Sequence, residues 1–384
     1  MESHILTLIF ITLGVFLIPF VAPLFGLPVA VGELLYGIGL FYFFEKFHLC
    51  SSTLQYIDFL AFLGFSLLMF LAGLEIDWNK LETLKGREKL VITLVVFTNF
   101  LIALTVAWIL KLSLEQTLLL GSMGIGLLLS VVRELNLSPK MVQLILITGS
   151  LGEITTLLGL TFYDLYLTFG LDYQFVLHAL LVIFLGLLFM FLLKVLKLLV
   201  WYFPEKVASL IQSENKAAVD IRAIFALMLT FMALGYLVHI EPILGAFIAG
   251  VLFGFIFREK HNVEQKLSAF GYGFLIPFFF IQVGFSFKPS YLTEWEMVKE
   301  AFLLLGLLYF TKLISSFWFT FIGFKLKEVF ISSFLFSFPF TILIAVAKIF
   351  HEKGIWNDFQ MAKVIMLTVL TAILFPFLIK KLAK

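Results

Sequence analysis

The hydrophobic and polar positions of this chain fall into long blocks, in which apolar runs alternate with short polar connections. A membrane-spanning helix needs about 20 predominantly apolar residues. On that criterion the sequence predicts thirteen helices, numbered 1 to 13, at approximately 4–24, 28–44, 57–76, 90–110, 114–132, 141–163, 175–200, 217–238, 242–257, 269–285, 298–321, 328–348 and 359–379. The pattern therefore predicts an all-α integral membrane protein with about 13 transmembrane helices.

The composition supports this class of protein. The chain is 62% hydrophobic and 14% charged, with a mean hydropathy of +1.09, whereas soluble domains carry about 25% charged residues. One cysteine, Cys50, rules out an internal disulfide, and the six histidines lack metal-ligand spacing, so no cofactor or resident metal is expected. The net charge of +2, without a long basic tract, gives no indication of nucleic acid as a partner.

The distribution of Lys and Arg predicts the orientation of the chain, because cytoplasmic connections are enriched in these residues. Nineteen of the 27 lie on one side of the predicted helices and seven on the other, while Lys312 lies inside helix 11. The N-terminus is therefore predicted outside and the C-terminus in the cytoplasm, in the cell inner (plasma) membrane. We expect one transporter domain over 1–384, without a soluble regulatory domain.

A faint internal repeat divides the chain. Helices 2 and 9 each carry a proline followed by two glycines, which are Pro28, Gly32 and Gly37 in the first and Pro242, Gly245 and Gly250 in the second. The next helix in each case ends near a further glycine, Gly73 or Gly284. We interpret this as two inverted six-helix repeats, at about 4–163 and 217–379, joined by a linking helix at about 175–200. The alternative is that small residues recur wherever helices pack closely.

Two helices are predicted to be interrupted at the same place in each half. Helix 5 carries Gly121, Ser122, Gly124 and Gly126 at its centre, and helix 12 carries Ser337, Pro339 and Thr341. Breaks at matching places in two halves indicate a transporter's binding site, and unwound backbone there could bind a cation. Ordinary kinks with tight packing are the alternative.

Glu153 is the main candidate for ion and proton binding. It lies near the middle of helix 6, where inserting a carboxyl group costs ~2.5 kcal/mol or more, so such groups usually handle ions or protons. Ser150 and Thr156, three residues away on either side, share its side of the helix and offer hydroxyl oxygens. Lys312 lies comparably deep and is the predicted charge partner. A salt bridge that only fixes helix packing is the alternative, although such pairs gain little net stability.

Four stretches carry a family resemblance. They are 26–28 with 32–37 (GLP and GELLYG), 70–77 (FLAGLEID), 244–250 (LGAFIAG), and 277–280 with 283–284 (PFFF and VG). In this order they resemble the second subfamily of monovalent cation:proton antiporters, which includes NapA-type Na+/H+ exchangers and the membrane part of Kef-type potassium efflux systems. The resemblance implies two inverted repeats, crossed discontinuous helices 5 and 12 beside an acidic residue on helix 6, and a homodimer.

The chain departs from the family at three points. It has Gly152 and Glu153 where the family commonly has Asn-Asp or Asp-Asp, and it reads Phe-Pro-Phe-Thr at 338–341 where Kef-like relatives often show Arg-Gly-Glu. We also expect it to be without the nucleotide-binding domain of the Kef systems. Lys312, by contrast, matches the basic position on helix 11.

The sequence therefore predicts a secondary antiporter rather than an enzyme, because it contains no nucleophile elbow, zinc motif or Ser/His/Asp arrangement. A monovalent cation, with Na+ or Li+ favoured over K+, would compete with H+ for Glu153, which is thus the predicted ligand of the transported metal ion. A channel-like protein and a transport-inactive or organic-solute relative remain as alternatives.

Overall fold

The computed structural model describes residues 2–47, 55–74, 84–124, 137–202, 219–237, 241–256 and 261–383. Within these residues the chain forms helices and no strand. The helices follow the predicted order and are α1 (Glu2–Val21), α2 (Val29–Lys46), α3 (Gln55–Leu74), α4 (Gly86–Leu110), α5 (Leu114–Gly121), α6 (Pro139–Phe169), α7 (Tyr173–Tyr202), α8 (Val219–Leu237), α9 (Pro242–Ile256), α10 (His261–Phe270, continued by the π-helical turn Gly271–Leu275 and by Ile276–Phe285), α11 (Trp295–Ser316), α12a (Leu326–Phe336), α12b (Phe340–Glu352) and α13 (Asp358–Ala383).

Eight stretches of the described residues are long and apolar enough to cross a membrane. They are Thr7–Phe25, Tyr56–Leu74, Gly86–Leu110, Pro139–Phe169, Glu264–Phe285, Trp295–Ile322, Leu326–Glu352 and Asp358–Ile379. Shorter apolar helices lie at Tyr173–Phe184, Ile221–Leu237 and Pro242–Gly254. The structure is therefore that of a multi-pass membrane protein.

The predicted end of helix 6 is wrong. Hydropathy placed it at residue 163, just before Asp164, but α6 continues to Phe169. The helix ends where Gly170 takes a φ of +65°, a conformation that glycine adopts without steric cost. One acidic residue lowers the hydropathy of a run without interrupting its backbone hydrogen bonds.

Both predicted breaks fall where the sequence placed them, as far as the structure describes them. Helix α5 ends at Gly121, and residues 122–124 are not helical, whereas Gly126 lies outside the described residues. In the twelfth helix the break separates α12a from α12b at Pro339, which has no N–H to continue the helical ladder. The second half restarts with the Leu343 N–H donating to the Pro339 carbonyl at 2.9 Å.

The chain divides into two compact units. The first comprises Met1–Leu54, Asn79–Gly159 and Phe280–Lys384, and the second comprises Gln55–Trp78 and Leu160–Phe279. Each unit draws residues from both predicted repeats. The two breaks, Glu153 and Lys312 all belong to the first unit.

Each unit contains a close helix crossing at which two glycines take part. In the first unit, a side chain at Gly37 would collide with the Ile281 carbonyl, and one at Gly284 would collide with the Leu34 carbonyl. In the second, the same holds for Gly73 against Phe247 and for Gly250 against Phe70. An internal repeat predicts this recurrence, because the crossings pair helix 2 with helix 10 and helix 3 with helix 9.

Candidate functional site

The two helix breaks lie against each other within the first unit. A Cβ atom added at Gly124 would stand 3.3 Å from Pro339 Cβ and 3.3 Å from Ile342 Cγ1. The non-helical segment 122–124, which follows α5, is thus in van der Waals contact with the break that separates α12a from α12b. Non-helical backbone at membrane depth is tolerated where protein covers it, and here each break helps to cover the other.

An apolar cluster holds the α5 break in place. Met123 is completely buried and belongs to the same cluster as Val95 of α4, Phe336 of α12a and Phe338 in the break of the twelfth helix. Side chains in a close-packed interior hold their rotamers. The cluster therefore fixes the position of the unwound segment from two sides.

The last carbonyl groups of α5 have partners from outside their own helix. A helix leaves its final four carbonyls without intrahelical donors. The Ser122 hydroxyl donates to the Leu119 carbonyl at 2.7 Å, Lys312 Nζ donates to the Leu120 carbonyl at 2.6 Å, and Asn99 Nδ2 donates to the Gly121 carbonyl at 2.6 Å. Three donors from the α5 break, α11 and α4 thus meet at the end of one half-helix.

Lys312 is buried completely, with a relative exposure of 0%. Besides the Leu120 carbonyl, its ammonium donates to Asn99 Oδ1 at 2.9 Å. The carbonyl end of a helix carries a partial negative charge that favours a nearby cation. Both oxygens that receive the ammonium's hydrogen bonds are formally neutral, so helix and amide dipoles stabilise this lysine.

Asn99 is a residue of this site that the sequence patterns did not indicate. This residue is completely buried in α4 and contacts both Lys312 and the end of α5. An amide has no formal charge, so it does not stand out in a hydropathy scan as Glu153 and Lys312 do. A search for amide side chains near the centre of predicted spans would have found it.

Glu153 is 1% exposed and Thr156 is 1% exposed on α6. The Thr156 hydroxyl donates to the Gly152 carbonyl at 2.7 Å and accepts from the Met123 N–H at 3.2 Å. The α6 turn that carries Glu153 and Thr156 thus contacts the α5 break through the Thr156 hydroxyl. Ser150 is 7% exposed, and its hydroxyl donates to the Leu146 carbonyl of its own helix at 2.9 Å.

The predicted charge partner Lys312 donates hydrogen bonds to neutral groups, which are Asn99 Oδ1 and the Leu120 carbonyl. Lys312 contacts the end of α5 at Leu120, and Thr156, which lies on the same helix as Glu153, contacts Met123 three residues further on. A direct pair of Glu153 and Lys312 stays a prediction.

The hydroxyl groups predicted to line the breaks are buried. Ser122 donates to the Leu119 carbonyl, as described above, and Ser337 donates to the Ser333 carbonyl at 2.6 Å. Thr341, in the first turn of α12b, is 4% exposed, and among the described residues no group hydrogen-bonds to its Oγ1. A buried hydroxyl that lacks a partner retains free acceptor capacity, so Thr341 can still bind a cation.

The acidic side chains of the described residues do not form a multi-carboxylate metal centre. No three His, Cys, Asp or Glu side chains in this part of the chain lie close enough together to hold a metal ion. Glu33 of α2 is another buried acid of the first unit, at 3% exposed.

Comparison with known proteins gives consistent results. A sequence model of the family described as sodium/hydrogen exchanger, transmembrane, matches residues 9–384. YjbQ of Bacillus subtilis (strain 168) is 28% identical over 421 aligned positions, which take in 100% of this chain and 64% of that protein. This chain therefore spans slightly less than two thirds of that relative's length. A Na+/H+ antiporter of Enterococcus hirae is 29% identical over 304 residues, with 76% of this chain and 75% of the relative covered.

A solved structure has the same fold. The sodium proton antiporter MjNhaP1 from Methanocaldococcus jannaschii, at pH 8, matches 100% of this chain and 98% of its own with a TM-score of 0.63 and 14% sequence identity. At that identity the match shows the fold alone. The predicted all-α membrane fold is thereby confirmed.

Proposed function

The chain belongs to the sodium/hydrogen exchanger family, and we propose that it is a secondary antiporter that exchanges a monovalent cation for H+ at Glu153. The observation that carries this proposal is the burial of Glu153, 1% exposed, on the helix turn that contacts the α5 break. An ionisable group inside a membrane span is expensive to keep and usually serves ion or proton transfer.

The chemistry of the site favours a small, hard cation. Such cations prefer oxygen ligands, and among the described residues the oxygens near the breaks come from the Glu153 carboxylate, hydroxyl groups and backbone carbonyls. We expect Na+ or Li+ to be preferred, with K+ as a weaker substrate. Because one carboxylate can neutralise one proton or one monovalent cation, the two ions compete for Glu153.

Competition at one residue becomes transport when the loaded site opens to one side of the membrane at a time. With one carboxylate as carrier, one H+ moves for each cation, and the exchange is electroneutral. We place the protein in the plasma membrane with its N-terminus outside and its C-terminus in the cytoplasm. Assembly as a homodimer rests on the family resemblance and is tested by light scattering on purified protein.

Everted membrane vesicles test the exchange directly. Respiration acidifies the vesicles and quenches a pH-gradient dye, and addition of Na+, Li+ or K+ restores the fluorescence if protons leave the vesicles in exchange for entering cations. We expect wild-type protein to restore it with Na+ and Li+, and Glu153→Gln to fail. Glu33→Gln is the matched control, because it also removes a buried carboxyl of the same unit, and we expect it to keep the exchange.

Two results would contradict the proposal. Dye recovery that persists in Glu153→Gln would show that another group carries the ions. Cation flux through wild-type vesicles without any movement of protons would favour a channel-like protein instead.

A further inference from the structure

Three exposed lysines lie where α12a begins and where α13 ends. Lys325 directly precedes α12a, Lys327 lies in its first turn, and Lys381 lies in the last turn of α13. The distribution of basic residues along the sequence predicts the cytoplasmic side of the membrane for both helix ends. We call these three residues the inner lysine cluster.

The two helix ends lie side by side. The Phe334 ring of α12a is 5.5 Å from the Phe375 ring of α13, and α13 returns across the membrane after the twelfth helix, so the two helices run in opposite directions. At a rise of 1.5 Å per residue, Lys327 lies about 10.5 Å before Phe334. Lys381 lies about 9 Å beyond Phe375, in the same direction. The lysines of the two helices therefore reach the same level.

The inner lysine cluster carries an excess of positive charge. None of its three ammonium groups forms an ion pair with a described residue. The acid next to it in the sequence is Glu328, whose carboxylate caps α12a by accepting the Lys325 backbone N–H at 2.7 Å. One carboxylate that is already used as a helix cap leaves the surface basic.

An exposed aromatic ring accompanies a lysine on each helix. Phe330 is 37% exposed and lies three residues after Lys327, and Phe377 is 68% exposed and lies four residues before Lys381. Residues three or four apart share one side of a helix. In both pairs the ring lies towards the membrane centre and the ammonium towards the helix end. This order matches a phospholipid, in which acyl chains are followed by a charged headgroup.

We propose that the inner lysine cluster, together with Phe330 and Phe377, binds an anionic phospholipid of the cytoplasmic leaflet. The ammonium groups bind the headgroup phosphate, and the two rings contact the acyl chains. Long lysine side chains extend to the membrane interface in this way, and anionic lipids attract basic residues beside a membrane span. The binding does not depend on exchange at Glu153.

Native mass spectrometry of the purified protein in a neutral detergent tests this proposal. We expect wild-type protein to bind phosphatidylglycerol more tightly than phosphatidylcholine, and the Kd for phosphatidylglycerol to rise with ammonium acetate concentration because salt screens the lysines. In the triple variant Lys325→Gln, Lys327→Gln, Lys381→Gln the Kd should rise at least about tenfold, because each basic residue adds to the attraction. Replacing the same three lysines with arginine should preserve the binding.

The matched control removes three exposed lysines of the same unit from the predicted outer side. These are Lys46, Lys111 and Lys299, each changed to Gln, and the Kd for phosphatidylglycerol should equal that of wild type. Glu153→Gln should also bind phosphatidylglycerol as wild type does, even though we expect it to lose exchange. A result on the lipid therefore stands apart from a result on the antiport.

Four results would overturn the proposal. They are equal Kd values for the two lipids in wild-type protein, a Kd that does not respond to salt, an equal loss of binding in the outer variant, and displacement of phosphatidylglycerol by an equal concentration of glycerol phosphate. The last result would show a site for a soluble phosphate instead of a lipid. If Phe377→Ser converts a lipid-free dimer to a monomer in light scattering, a second copy of the chain covers this surface, and the proposal is likewise wrong.

Discussion

Met123 occupies the space that a side chain at position 152 would need. A Cβ atom on Gly152 would stand 2.6 Å from Met123 Cβ and 2.7 Å from Met123 Sδ. The family to which the chain is related by its motifs commonly has an amide or acid at this place. Here Met123, a residue of the α5 break, fills the space that such a side chain would occupy. The glycine at position 152 and the packing of the break therefore depend on each other.

Gly152→Ala should therefore destabilise the protein. Overpacking typically costs about 1–3 kcal/mol, and Met123 Cβ cannot rotate away from the added methyl group. We expect a lower melting temperature in detergent and reduced exchange. Gly159→Ala is the control on the same helix, because its added methyl group would meet only the flexible end of Leu118, at 3.3 Å.

The same contact predicts coupling between the two positions. Met123→Gly removes the obstructing atoms, so Gly152→Ala should cost less in that background than in wild type. The difference in melting temperature across the double-mutant cycle measures this coupling. If the two changes are additive, Met123 does not determine which residues position 152 tolerates.

Thr341→Val tests whether the free hydroxyl at the start of α12b takes part in cation binding. The change keeps the shape of the side chain and removes a buried polar atom that no described group hydrogen-bonds. We expect the KM for Na+ to rise about three- to tenfold, while the melting temperature stays the same or increases, because burying an unsatisfied polar group is costly.

A buried threonine elsewhere in the first unit provides the control for that measurement. Thr368 is also completely buried, but its hydroxyl donates to the Val364 carbonyl of its own helix at 2.7 Å. Thr368→Val should leave the KM unchanged. Equal KM values for Thr341→Val and wild type would remove Thr341 from the cation pathway.

A single titrating carboxylate predicts that exchange does not respond to the membrane potential. In proteoliposomes with a potential set by K+ and valinomycin, the initial rate of Na+-driven proton movement should be the same at zero and at negative potential. A strong dependence on potential would mean that more than one charge moves per cation, and Glu153 could not be the sole carrier.

The only cysteine of the sequence tests the orientation. Cys50 lies outside the described residues, but the predicted topology places it in the outer connection between helices 2 and 3. A membrane-impermeant maleimide should therefore label it in intact cells. In a Cys50→Ser background, Lys327→Cys, at an exposed site in the first turn of α12a on the predicted cytoplasmic side, should react only after permeabilisation. The reverse pattern would invert the topology.

The sequence predicted those features of the site that break a strong rule of membrane helices. A carboxyl and an ammonium within apolar runs identified Glu153 and Lys312, and glycines and a proline at matching depths identified both breaks. The family resemblance is likewise confirmed at the level of the sodium/hydrogen exchanger family. Each of these signals is local, so no knowledge of the packing was needed.

The contacts of Lys312 could not be predicted in the same way. Pairing by opposite charge considered side chains only, whereas the structure uses the Leu120 carbonyl, which every residue type supplies, and an amide on a helix distant in sequence. The role of Met123 beside Gly152 was likewise invisible, because nothing in a run of apolar residues shows which of them faces a glycine across the gap between two helices.

The glycine crossings have a consequence for how tolerant the fold is to mutation. At Gly37 with Gly284, and at Gly73 with Gly250, main chain touches main chain with no side chain between. Such a junction has no rotamers to rearrange, so backbone contact alone sets its spacing. Even a methyl group at any of these four positions would force the two backbones apart. A chemically similar residue such as alanine would therefore not be tolerated there.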